Sequence, residues 1–349
     1  MREYLTAIAG NAPLRQRLGR ELEEGSISHA YIIEGPTGCG KSTLALETVM
    51  ALACENRQGS TPLPCGSCDH CQKIKSGNSP DVIHIYREKD KATMGVDTVR
   101  ALRSDVITVP NDLAFKVYII HDAHTMTKQA QNALLLTLEE PPAFVMFLLL
   151  CEDAGALLET IRSRAPILRM QPVEDAEIER YLLSTDRPRE QRNVAASLKA
   201  DSPDDFIALL RMSNGRIGAA LQLLDDATRV PMLENRSTVL EICRHLANRV
   251  HPDQLLSALL ALGSKRDDVS ERLQLFKTAL RDLLMLGYSE SVTLLFFTDG
   301  QKAAELSSRF TARRLLSHIE AVDQTLSALA ANGNVRLLLM QLQGKLIRP

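Results

Sequence analysis

Tryptophan is absent from the 349 residues, and aromatic side chains make up only 4%. A chain this poor in large planar rings is not built to stack successive single-stranded bases. Net charge is nearly missing too. The 41 Lys and Arg against 43 Asp and Glu leave −2, which gives no global pull toward nucleic acid or an anionic membrane. No apolar run approaches the ~20 residues of a membrane span. The longest, Val145 to Cys151, reads as a buried strand. No internal repeat or low-complexity tract is present. Met1-Arg2-Glu3-Tyr4 opens no apolar signal segment, so a reducing cytoplasm is the expected location, with no membrane attachment. The length suggests two or three domains.

Two motifs stand close together against this plain background. Gly35-Pro36-Thr37-Gly38-Cys39-Gly40-Lys41-Ser42 fits the phosphate-binding pattern G-x-x-x-x-G-K-[ST]. His29 to Ile33 before it reads as a short buried strand, and Thr43 to Leu52 after it as a helix. That is the context the motif requires. Glycines let backbone N–H groups turn in around phosphate oxygens, and the helix start adds partial positive charge. Lys41 is placed to reach the β and γ phosphates, and the Ser42 hydroxyl to hold Mg²⁺. Gly35, Gly38, Gly40, Lys41, Ser42 and Thr43 are the candidate contacts to ATP or ADP. The plainer alternative is a glycine turn that opens a helix.

The second motif is Cys54, Cys65, Cys68 and Cys71, four thiols in eighteen residues. Zn²⁺ prefers four soft ligands in a tetrahedron, and C-x-x-C steps present two sulfurs from one turn. Gly66 relaxes the backbone for that turn. Disulfides or unrelated thiols are the alternatives, but disulfides suit secreted chains. A full ligand set predicts a structural zinc with no open position for chemistry. The remaining Cys39, Cys151 and Cys243 are scattered and read as buried and inert.

Residues 1 to about 170 alternate strand-like and helix-like runs, which predicts a parallel α/β sheet. Strands are expected at Asp81 to Ile85, Lys116 to Ile120 and Val145 to Cys151. Helices are expected at Val96 to Val106, with Arg100 and Arg103 on it, and at Lys128 to Glu139, stopped by Pro141-Pro142. From about 173 the pattern turns wholly helical: Asp175 to Leu183, Arg189 to Leu198, Pro203 to Met212 and Arg216 to Leu224. Longer helices follow from about 235, among them Val269 to Leu286 and Thr311 to Leu329. Gly263-Ser264 and Asp299-Gly300 punctuate them.

Val117-Tyr118-Ile119-Ile120-His121-Asp122 lies where a phosphate-loop ATPase carries its second acidic motif, usually ending Asp-Glu. Here His121 stands at the Asp position and Asp122 at the Glu position. Imidazole is a poor ligand for a hard cation, and Asp is one methylene short for polarising water. Nucleotide binding survives such a change; fast hydrolysis does not. His121 and His124 read equally well as ordinary polar residues at a strand end.

These residues resemble the bacterial clamp-loader family of AAA+ ATPases. Ser28-His29-Ala30-Tyr31 leads into the phosphate loop, and the cysteines fall where the family inserts a zinc module. Asn132-Ala133-Leu134-Leu135-Leu136-Thr137-Leu138-Glu139-Glu140-Pro141-Pro142 is similar to the family string N-A-L-L-K-T-L-E-E-P-P, with Leu136 for Lys. Ser163-Arg164-Ala165 is similar to its S-R-C element, with Ala165 for Cys. Asn214-Gly215-Arg216 sits where the family places a lid arginine. Asn332 to Leu337 resembles the start of the last collar helix.

The resemblance implies an AAA+ domain over 1–172 with the zinc module at 54–71, a helical lid over 173–232 and a helical collar over 233–349. It implies that Arg164 acts in trans on a neighbour's ATP, and that Arg216 and Asp122 belong to this chain's own nucleotide site; the plainer alternatives are a surface arginine after a helix for Arg164 and an ordinary helix-start arginine for Arg216. The implied partners are gamma/tau-type motor subunits, a delta-type subunit, the sliding clamp and primer–template DNA, within the DNA polymerase III holoenzyme. Arg100 and Arg103 are candidates for template phosphates, though a solvated helix face explains them equally well. His29 reads as structural. Cys151 and Glu152 lie where a polar sensor residue is expected, and a carboxylate there opposes a γ phosphate. Length and the altered second motif resemble the delta-prime subunit type, a ring member that assists loading without driving it. Two other readings remain. A short, self-assembling motor would hydrolyse ATP alone. A zinc-dependent binding module would ignore Lys41→Ala and lose its partner with the metal.

Overall fold

The computed structural model describes residues 2–58, 61–185, 187–289 and 292–347. The outer limits 1 and 349 of the predicted domains, and residues 59 and 60 of the predicted metal module, lie outside the described residues. In chain order the first elements are α1 (Ala12–Glu24), β1 (Ala30–Glu34), α2 (Lys41–Ala53), α3 (Asp69–Lys75), β2 (Val82–Ile85), α4 (Val96–Val106) and β3 (Lys116–Ile120). Next come α5 (Lys128–Glu139), β4 (Val145–Cys151), α6 (Glu159–Arg162) and β5 (Ile167–Arg169). Helices alone follow: α7 (Asp175–Leu183), α8 (Arg189–Asp201), α9 (Pro203–Met212), α10 (Ile217–Gln222), α11 (Asp226–Asn248), α12 (Pro252–Leu260), α13 (Arg266–Leu286), α14 (Gly300–Ser307), α15 (Ala312–Ala330) and α16 (Val335–Ile347). The chain divides into two compact units, Met1–Ile178 with Gly215–Gly218, and Glu179–Asn214 with Ala219–Pro349.

In the first unit the five strands form one sheet in the order β2-β3-β4-β1-β5, and every pairing is parallel. Both faces are covered, which is why the strands are mostly apolar. Ile33, Val117, Ile119, Leu148 and Leu168 face a core that includes Leu18 and Leu22 of α1 and Leu44 and Val49 of α2. Ile32, Tyr118, Ile120, Phe147 and Leu149 face the other way, toward Val99 and Leu102 of α4 and Leu134 and Leu138 of α5. β1 lies inside the sheet between β4 and β5, so the loop that leaves it opens at the strands' carboxyl ends, where open α/β sheets bind ligands.

The second unit is wholly helical among the described residues. Its largest core gathers Phe276, Leu280 and Leu283 of α13 with Phe296, Leu315, Val322 and Leu342. His318 of α15 is fully buried in this unit. Its Nε2 stands 3.1 Å from the Leu346 carbonyl, so that nitrogen carries the proton, while Nδ1 has no partner. Burial, helped by nearby Arg314 and opposed by the Leu346 bond, pushes the imidazole down to about 4. The folded chain therefore refuses a proton that the unfolded chain accepts near 6.5. Stability from His318 is full above that pH and is lost as pH falls toward 4. At pH 5 the loss should be about 2 kcal/mol relative to pH 7.5. Urea unfolding of the chain and of His318→Leu at both pH values measures it; equal pH slopes would contradict the assignment. Among the described residues, no helix is long and apolar enough to cross a membrane.

Candidate nucleotide and metal sites

The loop between β1 and α2 closes on itself through backbone that only glycine adopts easily. Gly38 and Gly40 have φ of 82° and 100°, in the left-handed region that disfavours any Cβ. Gly35 is tight for a different reason. A Cβ there would stand 2.8 Å from Cys39 Sγ and 3.1 Å from the Met170 carbonyl. Lys41 begins α2, and its Nζ donates to the carbonyls of Gly35 at 2.7 Å and Pro36 at 3.1 Å. Ser42 and Thr43 are exposed at the helix start. A helix start and a lysine ammonium at such a loop are groups that favour phosphate.

Two further segments touch the loop. Glu152, the first residue after β4, accepts a hydrogen bond from the Thr37 hydroxyl. That bond holds its carboxyl below the usual range, with His124 and Lys41 assisting and slight burial opposing. On the other side, the Gly218 N–H donates to the Gly38 carbonyl at 2.7 Å. A Cβ on Gly218 would lie 2.9 Å from Gly38 Cα. This contact brings the Gly215–Gly218 segment, with Arg216 in it, into the same unit as the loop. Gly218→Val should therefore displace the loop. We expect a loss of about 1–3 kcal/mol in stability, as for other overpacked sites, together with weakened nucleotide binding. An unchanged melting curve would contradict it.

Cys54, Cys65, Cys68 and Cys71 place their four Sγ atoms within 4.8 Å of one another. A tetrahedron of sulfurs around zinc needs edges of about 3.8 Å at the usual Zn–S length, so a small closure completes the site. Cys54 follows α2, Cys68 caps α3, and Cys71 lies on α3. Burial opposes ionisation of Cys65. Even so, donors from Ser67, Asn56 and Cys68 hold its thiol at about 5, ready for a metal. The module is sewn to the start of the chain. Leu5 N–H donates to the Leu63 carbonyl at 2.8 Å, and Leu63 N–H to the Glu3 carbonyl at 3.0 Å. Arg2 donates to the carbonyls of Thr61, Arg57 and Asn56. The three other cysteines are buried. Burial raises the Cys39 thiol, and Cys151 and Cys243 are each pushed up to about 12.

The family described as DNA polymerase III, delta subunit matches residues 10–174. The delta' subunit of DNA polymerase III from Yersinia pestis is 32% identical over 274 residues, covering 78% of this chain and 75% of the relative. The chain belongs to the clamp-loader family of DNA polymerase III. A gamma subunit from Buchnera aphidicola is 31% identical over 264 residues, 74% of this chain and 68% of its own length. The tau subunit of Salmonella typhimurium is 34% identical over 221 residues, which is 63% of this chain but 32% of the relative. Among solved structures, a gamma subunit-related protein of Thermotoga maritima matches at TM-score 0.44 and 18% identity, covering 94% of this chain and 97% of that one.

At the second acidic motif of this clamp-loader chain, His121 follows β3 and turns to β2. Its Nε2 lies 3.0 Å from His84 Nδ1, and its ring stacks on Tyr86 with centroids 4.2 Å apart. Burial, then His84, pushes the imidazole down to about 4, with Asp122 opposing. His121 is thus a neutral ring held in a stack. Asp122 is exposed and adopts φ 49°. His124 accepts from the Glu152 N–H at 3.4 Å.

Arg164 follows α6. It donates to the Thr160 carbonyl at 2.9 Å and forms an ion pair with Glu139 at 2.8 Å. The sequence gives no direct sign of that pairing, although Glu139 belongs to the string that carries the resemblance. His29 Nε2 lies 3.2 Å from the Leu138 carbonyl, a structural role. Arg100 pairs with Asp97 at 3.0 Å, and Arg103 is exposed on the same helix.

Proposed function

We propose that this chain is the delta-prime-type subunit of a bacterial clamp loader, working in the cytoplasm. One observation carries the reading above the others. The position that needs an acid for Mg²⁺ holds His121, and that ring is engaged with His84 and Tyr86. A phosphate loop with an intact lysine beside a disabled second motif suits a subunit that binds nucleotide and turns it over poorly.

In this reading Gly35, Gly38, Gly40, Lys41, Ser42 and Thr43 hold ATP or ADP, and Arg216 senses it. Ser42 and Asp122 are the groups left to hold Mg²⁺. Cys54, Cys65, Cys68 and Cys71 hold a structural zinc. Bound Mg²⁺ would neutralise phosphate charge; the chain's own groups supply position. Residues 173–232 act as lid and 233–349 as collar. Arg164 projects to the ATP of a gamma/tau-type neighbour, and the ring, with a delta-type subunit, opens the sliding clamp and places it on primer–template DNA. Mixing the chain with gamma/tau-type and delta-type subunits tests this. We expect one ring species by mass photometry and clamp loading that depends on the chain. No incorporation would overturn the proposal. The motor alternative draws on the similar identity of the gamma relative; it requires turnover by the chain alone.

A further inference from the structure

We propose that Glu152 makes this phosphate loop select nucleotides that end at the β phosphate over those that carry a γ phosphate. The inference rests on the nucleotide-binding reading and adds a preference to that site.

The placement follows from the sheet. β4 runs parallel beside β1 with Cys151 opposite Glu34, and the Gly35 N–H donates to the Cys151 carbonyl at 3.1 Å. The residue after Cys151 is therefore delivered to the start of the loop. Glu152 is held there at two points. Its backbone N–H donates to His124 Nδ1 at 3.4 Å, and its carboxylate accepts from the Thr37 hydroxyl. The side chain is exposed, and the Thr37 hydrogen bond sets its carboxylate against the loop. Lys41 supplies the opposite charge, with its Nζ on the carbonyls of Gly35 and Pro36.

A phosphate chain in such a loop rests on inward N–H groups and on the lysine, and its terminal group extends toward the strand ends beside β1. Glu152 follows β4, the strand paired with β1, and its carboxylate accepts from Thr37. A β phosphate meets the cradle; a γ phosphate also meets a fixed carboxylate, and like charges at such range oppose each other. His121 at the end of β3 is neutral and does not offset that repulsion.

Calorimetric titration of the full-length chain with ADP and with a non-hydrolysable ATP analogue, in Mg²⁺ at low salt, tests the preference. We expect ADP to bind about tenfold or more tightly than the triphosphate. Glu152→Gln keeps an acceptor for Thr37 and removes the charge. It should close most of the gap by strengthening the triphosphate, leaving ADP within about threefold. Equal affinities in the unaltered chain would overturn the proposal. So would an equal shift of both ligands in Glu152→Gln. In each of those cases, binding that Lys41→Ala abolishes leaves the nucleotide site standing. Failure of both nucleotides to bind the unaltered chain overturns the nucleotide reading and the selection together.

Discussion

Removal of zinc by a strong chelator, or Cys71→Ser, should loosen residues 54–75 while the five-stranded sheet persists. The sulfurs are already gathered, and Cys71 is fully buried. Burial raises its thiol and that of Cys54, so without metal two neutral thiols sit beside the low-titrating Cys65. Zinc binding in peptides whose whole fold depends on the ion is worth about 10–16 kcal/mol. Here Leu63 and Ile74 also anchor the module in the core next to α2, so we expect a loss of several kcal/mol with no global unfolding. Hydrogen exchange should report it. Protection should fall at Leu5 and Leu63 along with the module, because their amides bridge it to the start of the chain. Elemental analysis should give one zinc per chain. Metal content well below one equivalent, or unchanged exchange after chelation, would sink the zinc assignment.

Arg164→Ala should leave folding and ring assembly intact and cut turnover at the facing site by about 10³ or more, the range of arginine fingers in other NTPases. The reason is electrostatic. A guanidinium placed against the γ phosphate neutralises charge that grows in the transition state. In the chain by itself Arg164 is engaged with Glu139, and its side chain is 34% exposed. Exposed ion pairs are worth about 0–1 kcal/mol, so in the proposed ring the pair would yield to a phosphate that offers a bidentate partner. The measurement belongs on rings whose other motor sites are silenced at their own phosphate-loop lysine. Arg164→Lys should restore only part of the rate, since an ammonium lacks the planar fork. Full turnover with Arg164→Ala would remove this residue from the mechanism.

Sequence and structure agree most closely where a single local signal dominates. The bounds of α4, β3, α5, β4, α7 and α9 match their sequence expectations residue for residue. β3 and β4 are buried along their whole length, and Lys116 is the one charged residue in them. Proline closes α5 and opens α9. α10 is shorter than its pattern, which suggests Arg216 to Leu224; it runs from Ile217 to Gln222, with Gly218 bonded to Gly38. α1 buries only Leu18, Gly19 and Leu22 of its thirteen residues, and β5 is three residues long, so neither carries a periodic signal. The phosphate loop and the cysteine cluster are legible because their chemistry is contiguous in sequence. The contacts that qualify them are not. Thr37 and Glu152 stand 115 residues apart, and Arg164 and Glu139 stand 25 apart. Such pairs are set by strand order and helix placement, which no local pattern encodes.

Steady-state ATP hydrolysis by the purified chain, followed across a wide range of protein concentration with bound nucleotide measured in parallel, bears most directly on the non-motor assignment. Turnover should stay near background at every concentration, with nucleotide bound and lost in Lys41→Ala. A rate per chain that climbs with concentration would mean that copies complete one another's sites, and would contradict it.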